Sequence, residues 1–297
     1  MYITNKYFNL FFPIIFLLLL FLSCETVVDV ELPKHKPMVV VNSIGNPDEP
    51  WELNISLSKG ILDEGKIEIV NNAKVEILEN GNPVSTFNHY SNGFYKSTGS
   101  KPETNVNYEL RVSADGFETV TSSCKIHEPI RIESVIIDTV EGEYEQELEL
   151  TISFTDIPNS KNYYSLSVLS IEKWNDGITY TYPIGFSSND LLIRDEGRNF
   201  DEGRKFYGEE ALFDDTILNG KNYKLKIFVN YYHSREDINL EFSLSSLSED
   251  YYKYLKTKQA QDQSVDNPFA EPVIIYSNIK NGLGIFSGYS SSKYNLF

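Results

Sequence analysis

Hydrophobic and polar residues alternate along most of this chain, and the alternation has the period of strands. In "WELNISLS" Trp51, Leu53, Ile55 and Leu57 share one side of the backbone and polar residues take the other, the period-two pattern of a half-buried strand. "AKVEILENGNPVSTF" carries two such runs around Asn80-Gly81, a dipeptide that readily takes the two positive φ angles of a type I′ hairpin. "NYELRVSADGFETVTSSCKI" repeats the device around Asp115-Gly116, with Cys124 in step with Val120 and Ile126. Pro129, in "IHEPIRIES", interrupts pairing, and the pattern restarts after it. "ELELTISF" alternates Leu148, Leu150, Ile152 and Phe154. "YYSLSVLSIEKWNDGITYTYPI" is a longer hairpin turned at Asn175-Asp176-Gly177, and "NYKLKIFVNYYH" and "INLEFSLS" supply later strands.

One segment carries the helical period instead. It spans about residues 246–262, where Ser246 and Glu249 form an S-x-x-E capping box and Leu247, Tyr251, Tyr254 and Leu255 line one side. That stripe reads as a face packed on a sheet rather than a cofactor box. In the closing "NPFAEPVIIYSNIKNGLGIFSGYS", Pro272 leads into an expected strand "VIIYSNI". Asn281-Gly282 then offers a turn, and "LGIFSGY" returns as the partner of a closing hairpin. The G-x-G of Gly282 and Gly284 lacks the third glycine and the following helix of a nucleotide fingerprint. The charged "RDEGRNFDEGRKFYGEE" reads as a long excursion from the sheet. The fold class is therefore mainly β. A β-sandwich over residues 38–128, Ig-like or carboxypeptidase-regulatory-like, is followed over 129–297 by a second β-rich, sandwich-like domain with one helix near the C-terminus.

The amino end follows another pattern. Lys6 is its only charged side chain, and Leu10 to Leu22 is an apolar stretch containing Pro13. As a helix it would rise only ~20 Å, short of the ~30 Å hydrocarbon core, so it reads as a signal-peptide apolar region. The stretch ends "FLSCET", with the small Ser23 before Cys24, the arrangement at which signal peptidase II cuts before a lipidated cysteine. Residues 1–23 are read as a lipoprotein signal peptide, Cys24 as the lipidation site, and 24–37 as a tether. Several lipid tails on one cysteine suffice for stable anchoring.

Cleavage there leaves 25 Lys and Arg against 43 Asp and Glu, a net charge of −18. This excludes a nucleic-acid partner and adhesion to anionic lipid through a basic surface. With Cys24 acylated, Cys124 has no cysteine left to pair with, and its place in the alternation makes it a buried small hydrophobe. No G-x-S-x-G, P-loop, H-E-x-x-H or C-x-x-C occurs, and His35, His89, His127 and His233 are scattered without metal spacing. No catalytic, cofactor-binding or metal-binding residue is nominated, and no enzyme is expected. Asp195, Glu196, Asp201 and Glu202 have the chemistry for calcium, but each pair is followed by an arginine and reads as a self-neutralised loop. Trp174, Tyr180 and Tyr182 are candidates for stacking on a glycan or peptide ligand.

The "FLSCET" site, "PMVVVNSIGNPDEPWELNISLS" at Pro37 to Ser58 and the closing "NPFAEPVIIYSNIKNGLGIFSGYS" together resemble the Bacteroidota lipoproteins catalogued as domain-of-unknown-function family 4249. "NPFAEPV" and "SNIKNGLGIF" are the most specific parts. The resemblance implies a place at the outer membrane beside a TonB-dependent transporter. The leading expectation is thus a non-enzymatic, lipid-anchored accessory protein working with such a receptor in nutrient capture. The alternative is a stand-alone surface lipoprotein binding glycan or peptide, and a third reading is a hydrolase with a dispersed active site. Glu25, Asp29 and Glu31 are spread out where the phylum's surface-export signal is acid-rich, so cell surface and periplasmic face both stay open.

Overall fold

The computed structural model describes residues 35–60, 62–84, 86–99, 101–142, 146–174, 177–193, 206–230, 238–265 and 271–296. The chain first lays down β1 (Val39–Gly45), β2 (Glu52–Leu57), β3 (Lys74–Glu79), β4 (Asn82–Pro83), β5 (Phe87–Ser91), β6 (Phe94–Ser97), β7 (Asn107–Ser113) and β8 (Val120–Lys125). It continues with β9 (Ile132–Glu141), β10 (Gln146–Thr155), β11 (Tyr163–Lys173), β12 (Thr179–Ile184), β13 (Phe186–Ser188) and β14 (Phe206–Gly208). The last elements are β15 (Glu210–Asp214), β16 (Asn222–Asn230), β17 (Ile238–Leu247), helix α1 (Glu249–Val265) and β18 (Leu283–Asn295). Local chemistry sets the turns. Asn80 and Gly81, between β3 and β4, take φ of 49° and 82°, the positive pair a I′ turn needs. Asn92 and Gly93 do the same between β5 and β6 at 43° and 76°.

A nine-stranded sheet runs through the molecule in the order β12-β11-β17-β18-β1-β2-β6-β5, with β15 also paired to β11. Its centre is β18. Leu283 to Gly288 pair in parallel with β1, and Tyr289 to Asn295 pair antiparallel with β17. One edge is composite: Ile184 of β12 lies opposite Val168, and Glu210 of β15 lies opposite the next residue, Ser167. Between these points the chain leaves the sheet and supplies β13 and β14 to a five-stranded sheet, β14-β13-β16-β10-β9. A four-stranded sheet, β4-β3-β7-β8, completes the fold. The molecule is mainly β, built of sandwich-like layers with one helix near the C-terminus.

Each smaller sheet buries its inner face against part of the long one. The first core holds Val41, Trp51, Leu53 and Ile55 from the long-sheet side and Ile77, Leu110, Val112 and Val120 from the four-stranded side. The second holds Tyr164, Leu166, Val168, Phe242 and Leu244 against Leu150, Ile152, Phe154, Leu225 and Ile227. The cores part in sequence between Ile126 and Ile130, on either side of Pro129, yet Ile279 and Phe286 return from the far end of the chain to complete the first. Pro37–Phe297 forms one compact unit.

Two sequence expectations need correction. The closing segment is not a hairpin, because residues 271–279 form no strand. Two of their backbone N–H groups go to helix side chains instead: Val273 donates to Gln261 Oε1 at 3.0 Å and Tyr276 to Thr257 Oγ1 at 2.9 Å. The helix cap is Ser248, not Ser246. Ser248 Oγ accepts the Tyr251 N–H at 3.3 Å, whereas Ser246 lies in β17 and its hydroxyl accepts the Ile130 N–H at 3.0 Å.

Candidate aromatic binding site

The core-facing side of β11 reads Tyr164, Leu166, Val168, Ser170, Glu172, so the apolar face turns polar before the strand ends. Ser170 still lies opposite the core residue Leu240, and Glu172 follows on the same face. There the edge strand β12 places Tyr182 opposite Ser170 and Tyr180 opposite Glu172. Trp174 follows at the hairpin end, where its N–H donates to the Ile178 carbonyl at 3.0 Å and its carbonyl accepts the Gly177 N–H at 2.9 Å. Gly177 takes φ of 80°, which closes the turn.

Glu172 binds this cluster together. Its Oε2 accepts the Trp174 indole N–H at 3.0 Å and its Oε1 accepts the Tyr182 hydroxyl. The Trp174 and Tyr180 rings meet at 5.1 Å between centroids and 55° between planes. Trp174, Tyr180 and Tyr182 nevertheless keep 52, 41 and 40 % of their surface exposed. The buried Glu172 carboxylate holds Trp174 and Tyr182, and Tyr180 packs on Trp174, while ring surface faces solvent. Such a platform offers stacking surface at low ordering cost, because the side chains are held before anything binds. Ile178, also exposed, extends the apolar area beside Trp174.

The structure thus brings the three sequence-nominated aromatics into one cluster. Glu172, which organises it, was not nominated. Its sequence signal is a carboxylate in the inward register of a strand, two residues before an exposed tryptophan. Cys24 and the acids Asp195, Glu196, Asp201 and Glu202 lie outside the described residues, as does His233. Cys124 is buried, and burial together with the Asp250 charge pushes its thiol well above the usual range, so it stays protonated. His127 is half-buried, and burial and the Lys125 charge hold its imidazole below the ordinary value. His89 is exposed and sets its ring against Tyr95 at 5.4 Å.

Other buried carboxylates act as loop staples. Asp156 accepts the Tyr164 hydroxyl at 2.5 Å and the Gly220 N–H at 2.7 Å, and Asp215 accepts the Asn162 N–H at 2.8 Å. Among the described residues no group of three or more His, Cys, Asp or Glu side chains is placed to hold a metal ion. No helix among them is long and apolar enough to cross a membrane.

A family model described as "Domain of unknown function (DUF4249)" matches residues 25–295. No curated protein matches the chain.

Proposed function

The chain belongs to this DUF4249 family, and on that premise we propose that it is a lipid-anchored binding protein of the cell envelope. Cys24 is the anchor, at the outer membrane. The protein works with a TonB-dependent transporter in nutrient capture, contributing contacts rather than a reaction. The observation that carries the reading is the Glu172-clamped platform of Trp174, Tyr180 and Tyr182 on an edge strand of the long sheet. Buried aromatic contacts dominate the energy of protein interfaces, and a pre-held aromatic cluster binds without first ordering itself.

The test is affinity purification of the tagged full chain from detergent-solubilised outer membrane. A TonB-dependent receptor should co-purify, and Trp174→Ala should lower its recovery by about fivefold or more, the effect of losing about 1 kcal/mol of interface energy. No receptor in the eluate, under conditions that express one, overturns the proposal. Unchanged recovery with Trp174→Ala moves the contact away from the platform. The same cluster also suits the second reading, a stand-alone binder whose rings stack on a sugar or on a peptide side chain. Glycan-array and peptide screens that stay blank would remove that version.

A further inference from the structure

The opposite face of the long sheet carries a second polar site that the aromatic platform does not use. Register places Glu210, Ser167, Ser243 and Lys293 in one row across β15, β11, β17 and β18. In the neighbouring row Ser165, Ser245 and Ser291 lie side by side on β11, β17 and β18. These side chains point away from the second core, since their neighbours Leu166, Val168, Phe242 and Leu244 point into it. The rows floor a cleft of about 220 Å³ beneath the start of α1.

Several groups in this cleft lack protein partners. Ser243 is 7 % exposed, lines the cleft, and makes no side-chain hydrogen bond among the described residues. Tyr251 and Tyr289 stack at 5.8 Å and 28° and wall one side. Burial and nearby acids push both phenols up, and neither hydroxyl has a hydrogen-bond partner among the described residues. Ser165 does hydrogen-bond, to the Glu210 carboxylate, whose own pKa burial raises while Ser165 and Lys258 pull it back. Ser243, Tyr251 and Tyr289, each with no protein partner for its hydroxyl among the described residues, thus line one space, where a ligand can pair with them.

The lining also selects the ligand chemistry. An apolar molecule would leave these hydroxyls unpaired, and an anion would meet Glu210 and Asp48. A bare cation would find one half-buried carboxylate, with Lys293 at the far end of the row and paired to Glu241 at 3.6 Å. A neutral polyol satisfies the set, because each of its hydroxyls both donates and accepts. The space holds roughly seven waters at ~30 Å³ each and is smaller than the clefts that take drug-sized ligands.

We propose that this cleft binds a single sugar ring, or a polyol of that size, with Ser243, Ser167 and Glu210 hydrogen-bonding to its hydroxyls and Tyr251 and Tyr289 closing one side. The experiment is saturation-transfer NMR on the detergent-solubilised full chain, titrated with glucose, galactose, mannose and myo-inositol to about 20 mM, a range suited to weak, millimolar binding. At least one probe should bind saturably. Ser243→Ala and Glu210→Gln should each weaken that binding about 3- to 10-fold, the effect of one lost hydrogen bond, and Trp174→Ala should leave it unchanged. The Ser243 change only removes an atom, and Ser167→Ala provides a second variant on the same floor if either fails to fold. No saturable binding by any of the four probes overturns the proposal. So does binding indifferent to the Ser243 and Glu210 variants, or binding abolished by Trp174→Ala, which would place the sugar on the aromatic platform instead.

Discussion

A Cβ on Gly284 would lie 2.1 Å from the Val41 carbonyl oxygen, and the residue's φ is +107°, a value L side chains rarely adopt. The clash arises where β18 pairs in parallel with Val41 of β1, and the positive φ is a separate penalty. Gly284→Ala is therefore expected to cost about 3 kcal/mol or more, adding backbone strain to a backbone clash. The check is urea unfolding, with the midpoint falling while the slope is unchanged. Gly116→Ala is the control. Its φ is +83° but nothing lies within 4 Å, so it should cost only the strain, on the order of 1 kcal/mol. A second residue gives a pH dependence. The His127 imidazole is held below its ordinary value by burial and the Lys125 charge, so the unfolded chain takes up the proton first. Its contribution is present above about pH 6.5 and is lost as pH falls through the lowered folded value. His127→Gln should make the fall in urea midpoint between about pH 7.5 and pH 5.5 shallower than in the unchanged protein.

At the scale of elements, Asn278 shows how side chains replace a strand ladder. Its amide accepts the Phe286 N–H at 3.0 Å and donates to the Phe286 carbonyl at 2.8 Å, while also donating to Asp250 at 3.0 Å. Three bonds thus tie residues 271–280, β18 and α1 together. Asn278→Ala should cost about 2–4 kcal/mol, read as a fall in thermal midpoint, because the Phe286 backbone loses its partner. No periodicity announces such a residue, which is why "VIIYSNI" reads as a strand although two of its N–H groups go to Gln261 and Thr257. What was legible rests on alternation and turn chemistry. Trp51, Leu53, Ile55 and Leu57 are all buried, as are Leu148, Leu150, Ile152 and Phe154, and Asn80-Gly81 turns as its sequence requires. Cys124 is buried in step with Val120 and Ile126. What was not legible is non-local. The collinear pairing of β12 and β15 joins residues separated by an excursion, and the parallel pairing of β18 with β1 joins the two ends of the fold. In the binding cluster the aromatics were visible as residue types. Glu172 was not, because its role depends on β12 bringing Tyr182 within reach of its carboxylate.

For the whole molecule, the consequence of β18 is cooperativity between two cores that share few side chains. Residues 283–288 are the parallel partner of β1, and Phe286 stacks on Trp51 at 5.2 Å in the first core. Residues 289–295 are the antiparallel partner of β17, and Leu296 enters the second core. Neither half can lose this strand alone, so two cores should unfold as one unit rather than as two beads. The sequence supplies the probe, since its tryptophans are Trp51 and Trp174. In Trp174→Phe the fluorescence comes from Trp51, which is 1 % exposed and reports the first core, while far-UV circular dichroism reports every strand. The two signals should trace one urea transition with the same midpoint. Two separated transitions would mean that the cores are energetically independent and that β18 bridges them without coupling them. Deleting residues 281–297 extends the same logic. It removes an edge partner from each half at once, so neither half should remain folded by circular dichroism or resist limited proteolysis. A protected fragment confined to the first or second half after that deletion would instead identify a core that stands without the shared strand.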